Sequence, residues 1–252
     1  MVKTKDTKTP GTEVMDWEDQ MRQEARDIAK IERPSVNKIS FQSGVMSFMD
    51  TALENNQLDC IIIASVWENV YYTEKWKADV VRPPACFALG ISEKGEEPVM
   101  VAHDVVKDSP GPICATCEMF KWNSDPEGGR GKACKERRRL AVIPSPENSD
   151  EVKNSDMAVM SIPVLSVKKW ANYVNKLEAT FQRPPWGMLT NVSLVPDAKS
   201  QFRVKFAPIE VLESSYLPLI HARIPSAISA LTIPYEMSSE SQEKKETGKQ
   251  KY

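Results

Sequence analysis

Long apolar runs are missing from this 252-residue chain; none approaches the roughly 18–20 residues of a membrane span. A secretory signal is missing too, because Lys3, Lys5 and Lys8 are not followed by an apolar stretch. No charge sign dominates: 33 Lys and Arg face 35 Asp and Glu, a formal net charge of −2. The chain is therefore not a basic coat for nucleic acid, and any such binding has to come from a local patch. Histidine is limited to His103 and His221, and neither has a Ser or Cys nucleophile motif nearby. Cysteine numbers five, an odd count in a chain too large to need disulfides, which favours a reducing compartment. These absences point to a soluble, cytosolic protein without a membrane partner. What remains is ordinary globular material: 41% hydrophobic and 27% charged residues, which excludes wholesale disorder.

The chain divides by composition. Residues 1–13 are Lys- and Thr-rich and read as a disordered lead-in, and 236–252 form a polar, disordered tail. Between them, 14–235 read as one domain. Trp17, Met21, Ala25 and Ile28 fall at helical spacing before Pro34, an apolar stripe suited to docking on the domain core. Strands are expected at Ile39–Phe41, Val45–Met49 and Asp59–Val66, the last apolar enough for burial on both faces. Cys86–Ile91 and Val99–Ala102 flank a Glu-, Lys- and Gly-bearing turn and predict a hairpin. Residues 107–136 lack periodicity and read as an inserted module, after which Arg139–Ile143 returns to strand. Pro144–Asp156 reads as a polar connector. Ser166 is a candidate N-cap for a helix carrying Trp170 and Val174, which Arg183-Pro184-Pro185 breaks. Met188–Val195 and Phe202–Phe206 predict a second hairpin, with short helical pieces beyond Pro208.

Cys114-Ala115-Thr116-Cys117, followed by Cys134, carries the most chemistry. A CxxC knuckle puts two thiolates on one turn, and a third Cys beyond a Gly-rich excursion can close on the same ion. A structural zinc needs four ligands, for which Cys86 is the first candidate and His103 the reserve. Cys60 lies in the apolar strand and is expected to be core. Free or redox-active thiols are the alternative to structural zinc. A deaminase-type catalytic zinc fails, because Pro112 is offset from Cys114 and His103 is followed by Asp104-Val105 rather than by the required Glu.

Beside the cysteines the charge is lopsided. Lys121, Arg130, Lys132, Lys135, Arg137, Arg138 and Arg139 are seven cations against four carboxylates, Glu118, Asp125, Glu127 and Glu136. Gly128, Gly129 and Gly131 allow close backbone approach, and Phe120 and Trp122 offer stacking faces, the combination that single-strand binding uses. A solvated loop whose cations pair with nearby carboxylates is the plainer reading. If 137–139 is a strand, Arg137 and Arg139 share one face and Arg138 takes the other. Trp67, Tyr71, Tyr72 and Trp76 form a second aromatic group, equally compatible with base stacking and with half-buried packing. Trp170 and Tyr173 are expected in the core, and Trp186 as a loop anchor. The GGRGK stretch at 128–132 lacks P-loop spacing, and the residues point to no enzyme.

Across Pro83–Ala88, Cys114–Cys117, Gly131–Lys135, Arg137–Val142, Val164–Val174 and the Leu189–Phe206 hairpin, the sequence resembles a family of bacteriophage proteins. Members are encoded near replication genes and are often described as single-stranded DNA-binding proteins; the resemblance spans about 37–210. More loosely, the single-strand binding protein of the T-even phages offers a fold-level analogy, a zinc subdomain within an OB-like core. The expected fold is α+β and β-rich, an OB-like open barrel with an inserted four-cysteine zinc module and flanking helices. The resemblance implies non-catalytic binding of single-stranded DNA in phage replication or recombination, in the cytoplasm of the infected bacterial host. The metal set is Cys86, Cys114, Cys117 and Cys134. The nucleic-acid set is Lys121, Trp122, Arg130, Lys132, Lys135, Arg137, Arg139, Trp67, Tyr71 and Tyr72. Phage replication proteins are further expected partners. The alternative is a zinc-stabilised interaction module that binds replication or transcription machinery.

Overall fold

A computed structural model describes residues 17–31, 37–74, 82–93, 95–126, 128–198 and 200–236. The expected lead-in over 1–13 and the tail from 237 onward lie outside the described residues, as does Trp76. Residues 1–36 form one unit and 37–252 another. In the first, helix α1 (Trp17–Ile31) carries the expected stripe, and Trp17, Met21 and Ile28 are exposed.

The second unit is α+β, built on a mixed sheet that curls into an open half-barrel. Its strands are β1 (Asn37–Gln42), β2 (Val45–Phe48), β3 (Thr51–Ala52), β4 (Gln57–Tyr71), β5 (Cys86–Gly90) and β6 (Lys135–Pro144). After helix α2 (Ser149–Asn154) come β7 (Ala158–Ile162), α3 (Val164–Phe181), β8 (Met188–Asp197), β9 (Gln201–Val211), α4 (Leu217–Ala222) and α5 (Ile224–Leu231). The strand order is β3-β2-β1-β7-β6-β4-β8-β9, with β5 also on β4. Only β1 and β7 run parallel among these pairs.

Strand β4 is the spine. One edge pairs with β6; the other takes β8 along Gln57–Cys60 and β5 along Trp67–Tyr71. Both faces are covered, which is why the strand reads as a nearly unbroken apolar run. Cys60 and Ile62 pack with Leu140, Val142, Trp170, Tyr173 and Leu177 under α3. Ile61, Ile63 and Val66 pack with Ala141, Ile143, Ala227 and Leu231 under α5. A bulge between Ile62 and Ala64 resets the alternation. Beyond it Val66 and Glu68 face α5, while Trp67 and Asn69 turn to the α3 side. A strand without the bulge would have aimed all four the other way.

Several local expectations are revised. The Cys86–Ala102 hairpin does not form: β5 spends its hydrogen bonds on β4, and Val101 makes only an isolated bridge to Ile113. The chain still folds back on β5, with the His103 N–H donating to the Phe87 carbonyl at 2.9 Å. The polar connector contains α2, capped by Asn148, whose side chain accepts from the Asp150 and Glu151 N–H groups. Ser166 does not cap α3, which starts at Val164; it is buried and its Oγ accepts from the Val204 N–H at 2.9 Å, tying helix to strand. Gln182 in the left-handed region ends α3 just before the prolines. The β8–β9 hairpin and the short helices after Pro208 are as expected. Among the described residues no helix is long and apolar enough to cross a membrane.

Candidate metal centre and nucleic-acid interface

Among the described residues between β5 and β6 the helical elements are two 3-10 turns, Cys114–Thr116 and Glu118–Phe120. The sheet places two of the cysteines near one end of β4, without a metal-holding cluster among the described residues. Cys86 starts β5 opposite Tyr71, and Cys134 immediately precedes Lys135, which pairs with Val70. The two therefore flank the same end of β4. The knuckle is attached beside them: the Cys114 N–H donates to the Met100 carbonyl at 2.9 Å, and the Cys134 N–H to the Met119 carbonyl at 2.8 Å. Gly111 lies so close that a Cβ there would stand 3.1 Å from the Cys117 Cβ, so only glycine fits without displacement.

All four thiols are buried, each 7–8% exposed. Burial raises the Cys86 thiol, which also contacts Ser109 Oγ at 3.7 Å, and Cys117 raises it further. Cys114 is raised by burial and by Cys86 and Cys117, against a hydrogen bond with Asn69. Cys134 is pushed up to about 12 by burial, with Cys114, Cys86 and Cys117 adding to the effect. The four sulfurs thus lie within electrostatic reach of one another. Their chemistry suits zinc, which binds four thiolates tetrahedrally. Their arrangement is looser than a ligand set, since among the described residues no group of three His, Cys, Asp or Glu stands in metal-holding geometry. His103 stacks on Phe87 with ring centroids 4.9 Å apart. Cys60 is fully buried in the core, where burial raises its thiol.

The basic loop splits into exposed and committed groups. Trp122 is 70% exposed, flanked by exposed Lys121 and close in sequence to exposed Arg130. Lys132 Nζ sits 3.7 Å from the Phe120 ring centroid and 5.3 Å from that of Trp122, and pairs with Glu136 at 2.9 Å. Lys121 pairs with Glu118 at 2.5 Å, and Lys135 with Asp125 at 3.2 Å. The Lys121–Glu118 pair faces solvent and is worth about 0–1 kcal/mol, so an incoming phosphate can displace it, while the Lys132 and Lys135 pairs are part-buried. Ser124 organises the loop: its Oγ bonds the Met119 and Lys121 carbonyls and accepts from the Ala133 N–H at 2.9 Å. Gly128, at φ +78, makes the turn between Asp125 and Arg130.

The arginine run behaves differently. Arg137 and Arg139 share the α5 side and Arg138 the α3 side, the alternation a strand imposes. Arg139 is 7% exposed, however, and its Nε donates to Glu68 Oε1 at 2.6 Å. Its Nη1 donates to the Leu231 and Ile233 carbonyls, and Tyr235 lies across its guanidinium and donates to the same Glu68 oxygen at 2.8 Å. Burial opposes its charge, yet Glu68 and Tyr235 outweigh burial and hold Arg139 above its ordinary pKa. This removes Arg139 from the phosphate-binding set, because its donors are already committed inside. Arg137 is half-buried opposite Glu68, and its Nε and Glu68 Oε2 are buried without hydrogen-bond partners among the described residues. Arg138 stacks on Trp67 with its guanidinium 3.3 Å from the ring centroid, which occupies the stacking face expected there. Tyr71 and Tyr72 are half-buried against Val70, Cys86, Phe87 and Val106.

Asn69, Ser109, Glu68 and Tyr235 carry no local sequence signal that assigns them to the site. Comparison with protein-family models, with curated proteins and with solved structures finds no match to this chain.

Proposed function

We propose that the protein is a non-catalytic single-stranded DNA-binding protein, stabilised by a structural zinc on Cys86, Cys114, Cys117 and Cys134. The observation that carries the reading is Trp122, 70% exposed in a glycine-bearing loop that also holds exposed Lys121 and Arg130. An aromatic that large is exposed at a cost unless something covers it, and a base stacking on it while phosphates meet the flanking cations needs no sequence preference. The zinc reading is supported by four buried thiols at one end of β4, a donor set that metal binding would draw together and deprotonate. The curled, open sheet supports an OB-like barrel, with the zinc module entering after β5. A role in phage replication or recombination, within an infected bacterium, rests on the sequence resemblance.

One observation favours the protein-interaction reading. Val99, Val101 and Ile113 are exposed around the isolated bridge beside the cysteines, an apolar patch that a replication or transcription protein could cover. A titration of labelled single- and double-stranded DNA at two salt concentrations separates the two. The DNA reading expects single-strand binding that weakens with salt. The interaction reading expects none.

A further inference from the structure

After β5 the chain turns back between Glu93 and Glu96 and returns as a short ribbon, residues 98–102 beside 112–114. Gly90 fixes the inner face of this ribbon. A Cβ there would overlap Met100 Sδ and stand 2.8 Å from Pro98 Cγ, so these two side chains sit down on β5. Alternation then turns Val99 and Val101 outward. The Ala102 N–H donates to the Pro112 carbonyl and the Cys114 N–H to the Met100 carbonyl, both at 2.9 Å. Val101 and Ile113 therefore face each other between those two bonds, the arrangement that brings cross-strand side chains closest. Val99, Val101 and Ile113 are 80%, 48% and 43% exposed.

The surroundings are acidic. Residues 91–116 hold Glu93, Glu96, Glu97, Asp104 and Asp108 against Lys94 and Lys107, the reverse of the basic balance over 118–139. All five carboxylates are exposed, and none has an ion pair among the described residues, although Glu97 lies within electrostatic reach of Arg138. We propose that this ribbon docks a cationic protein segment carrying apolar side chains at alternate positions. Single exposed apolar side chains are ordinary, but three together on one face form a patch that a partner covers at a gain. An extended segment repeats side chains on one face about every 7 Å, the interval that separates Val99 from Val101. The five carboxylates attract a cationic segment and repel a phosphate backbone or an anionic lipid surface. This gives the partner of the interaction reading a chemistry, and it stands whether or not the Trp122 loop meets DNA.

Anisotropy of short labelled peptides with the full chain tests it, using alternating Lys-Val, alternating Lys-Ser and alternating Glu-Val sequences. The proteins are wild type, Val99→Ser/Val101→Ser, Glu93→Gln/Glu96→Gln and a Leu165→Ser control on α3. All should melt at the wild-type temperature, because each replaced side chain is exposed. The Lys-Val peptide should bind the wild type, and the valine double variant should bind it about tenfold more weakly. The glutamate double variant should lose about threefold, and only at low salt. Leu165→Ser should bind as wild type. Lys-Val binding no tighter than Lys-Ser, or unchanged in the valine double variant, overturns the docking site. Glu-Val binding in place of Lys-Val overturns the cationic partner while leaving the interaction reading intact. Loss of oligo-dT affinity in the valine double variant would make the ribbon part of a nucleic-acid surface and overturn the commitment to protein. A wild type that sediments as a dimer, with the valine double variant a monomer, would assign the ribbon to a second copy and overturn a separate partner.

Discussion

The Trp122–Lys135 loop and the Arg137–Arg139 run are neighbours in sequence and alike in composition, yet the fold treats them oppositely. In the loop, Lys121 makes a solvent-facing pair, Lys132 and Lys135 make part-buried ones, and Trp122 stays uncovered. In the run, Arg139 and Glu68 are shut in together and Arg138 is spread over Trp67. The difference is the sheet. From Arg138 to Ile143 every β6 side chain is buried against one of two covered faces, and a cation there needs a built-in partner. A basic stretch therefore offers its charge to a ligand only up to the point where both faces of the strand are covered.

The largest expected effect is in the buried run. Arg139→Ala leaves Glu68 buried without its counter-ion, a loss of about 3–5 kcal/mol by thermal or urea denaturation. A loss below 1 kcal/mol would show that Arg139 can reach solvent, and would return it to the phosphate-binding set. Trp170→Ala, which truncates a buried ring of the α3 face, should cost a comparable ~3–5 kcal/mol.

The cysteines sharpen the comparison from the side of the metal. Purified protein should carry about one equivalent of zinc, and Cys134→Ser should lose it and loosen the loop that presents Trp122. Cys60→Ser should keep the metal. Equal zinc in the wild type and Cys134→Ser protein would break the four-thiol assignment, and loss on His103→Ala with retention on Cys86→Ser would promote the histidine.

The exposed loop should respond in binding alone. Trp122→Ala should weaken single-strand affinity by about 1–3 kcal/mol, the worth of one stacked base. Its stability should stay within about 0.5 kcal/mol of the wild type. Smallest of all, Glu118→Gln should barely alter stability, because the Lys121–Glu118 pair is solvent-facing.

Local signals accounted for much of the fold. The β8–β9 hairpin follows from two alternating runs around Asp197–Ser200, and β4 from its apolar block. The cap of α2 was legible as Asn148 followed three residues later by Glu151, but the prolines before it hid the helix. The β4 bulge was not legible, because one extra residue leaves no trace in composition while reversing the faces of Trp67 and Glu68. The fate of Arg139 depended on Glu68, 71 residues away, and on Tyr235, 96 residues further along the chain than Arg139 itself.

The central claim is that Trp122, and not the arginine run, meets the nucleic acid. Parallel anisotropy titrations of oligo-dT with wild type and Trp122→Ala at two salt concentrations test it, with melting temperatures taken on the same samples. The account predicts salt-sensitive binding by the wild type and weaker binding by the variant at both salts, with unchanged melting. Equal affinity of the two proteins, or a wild type that does not bind, would contradict it.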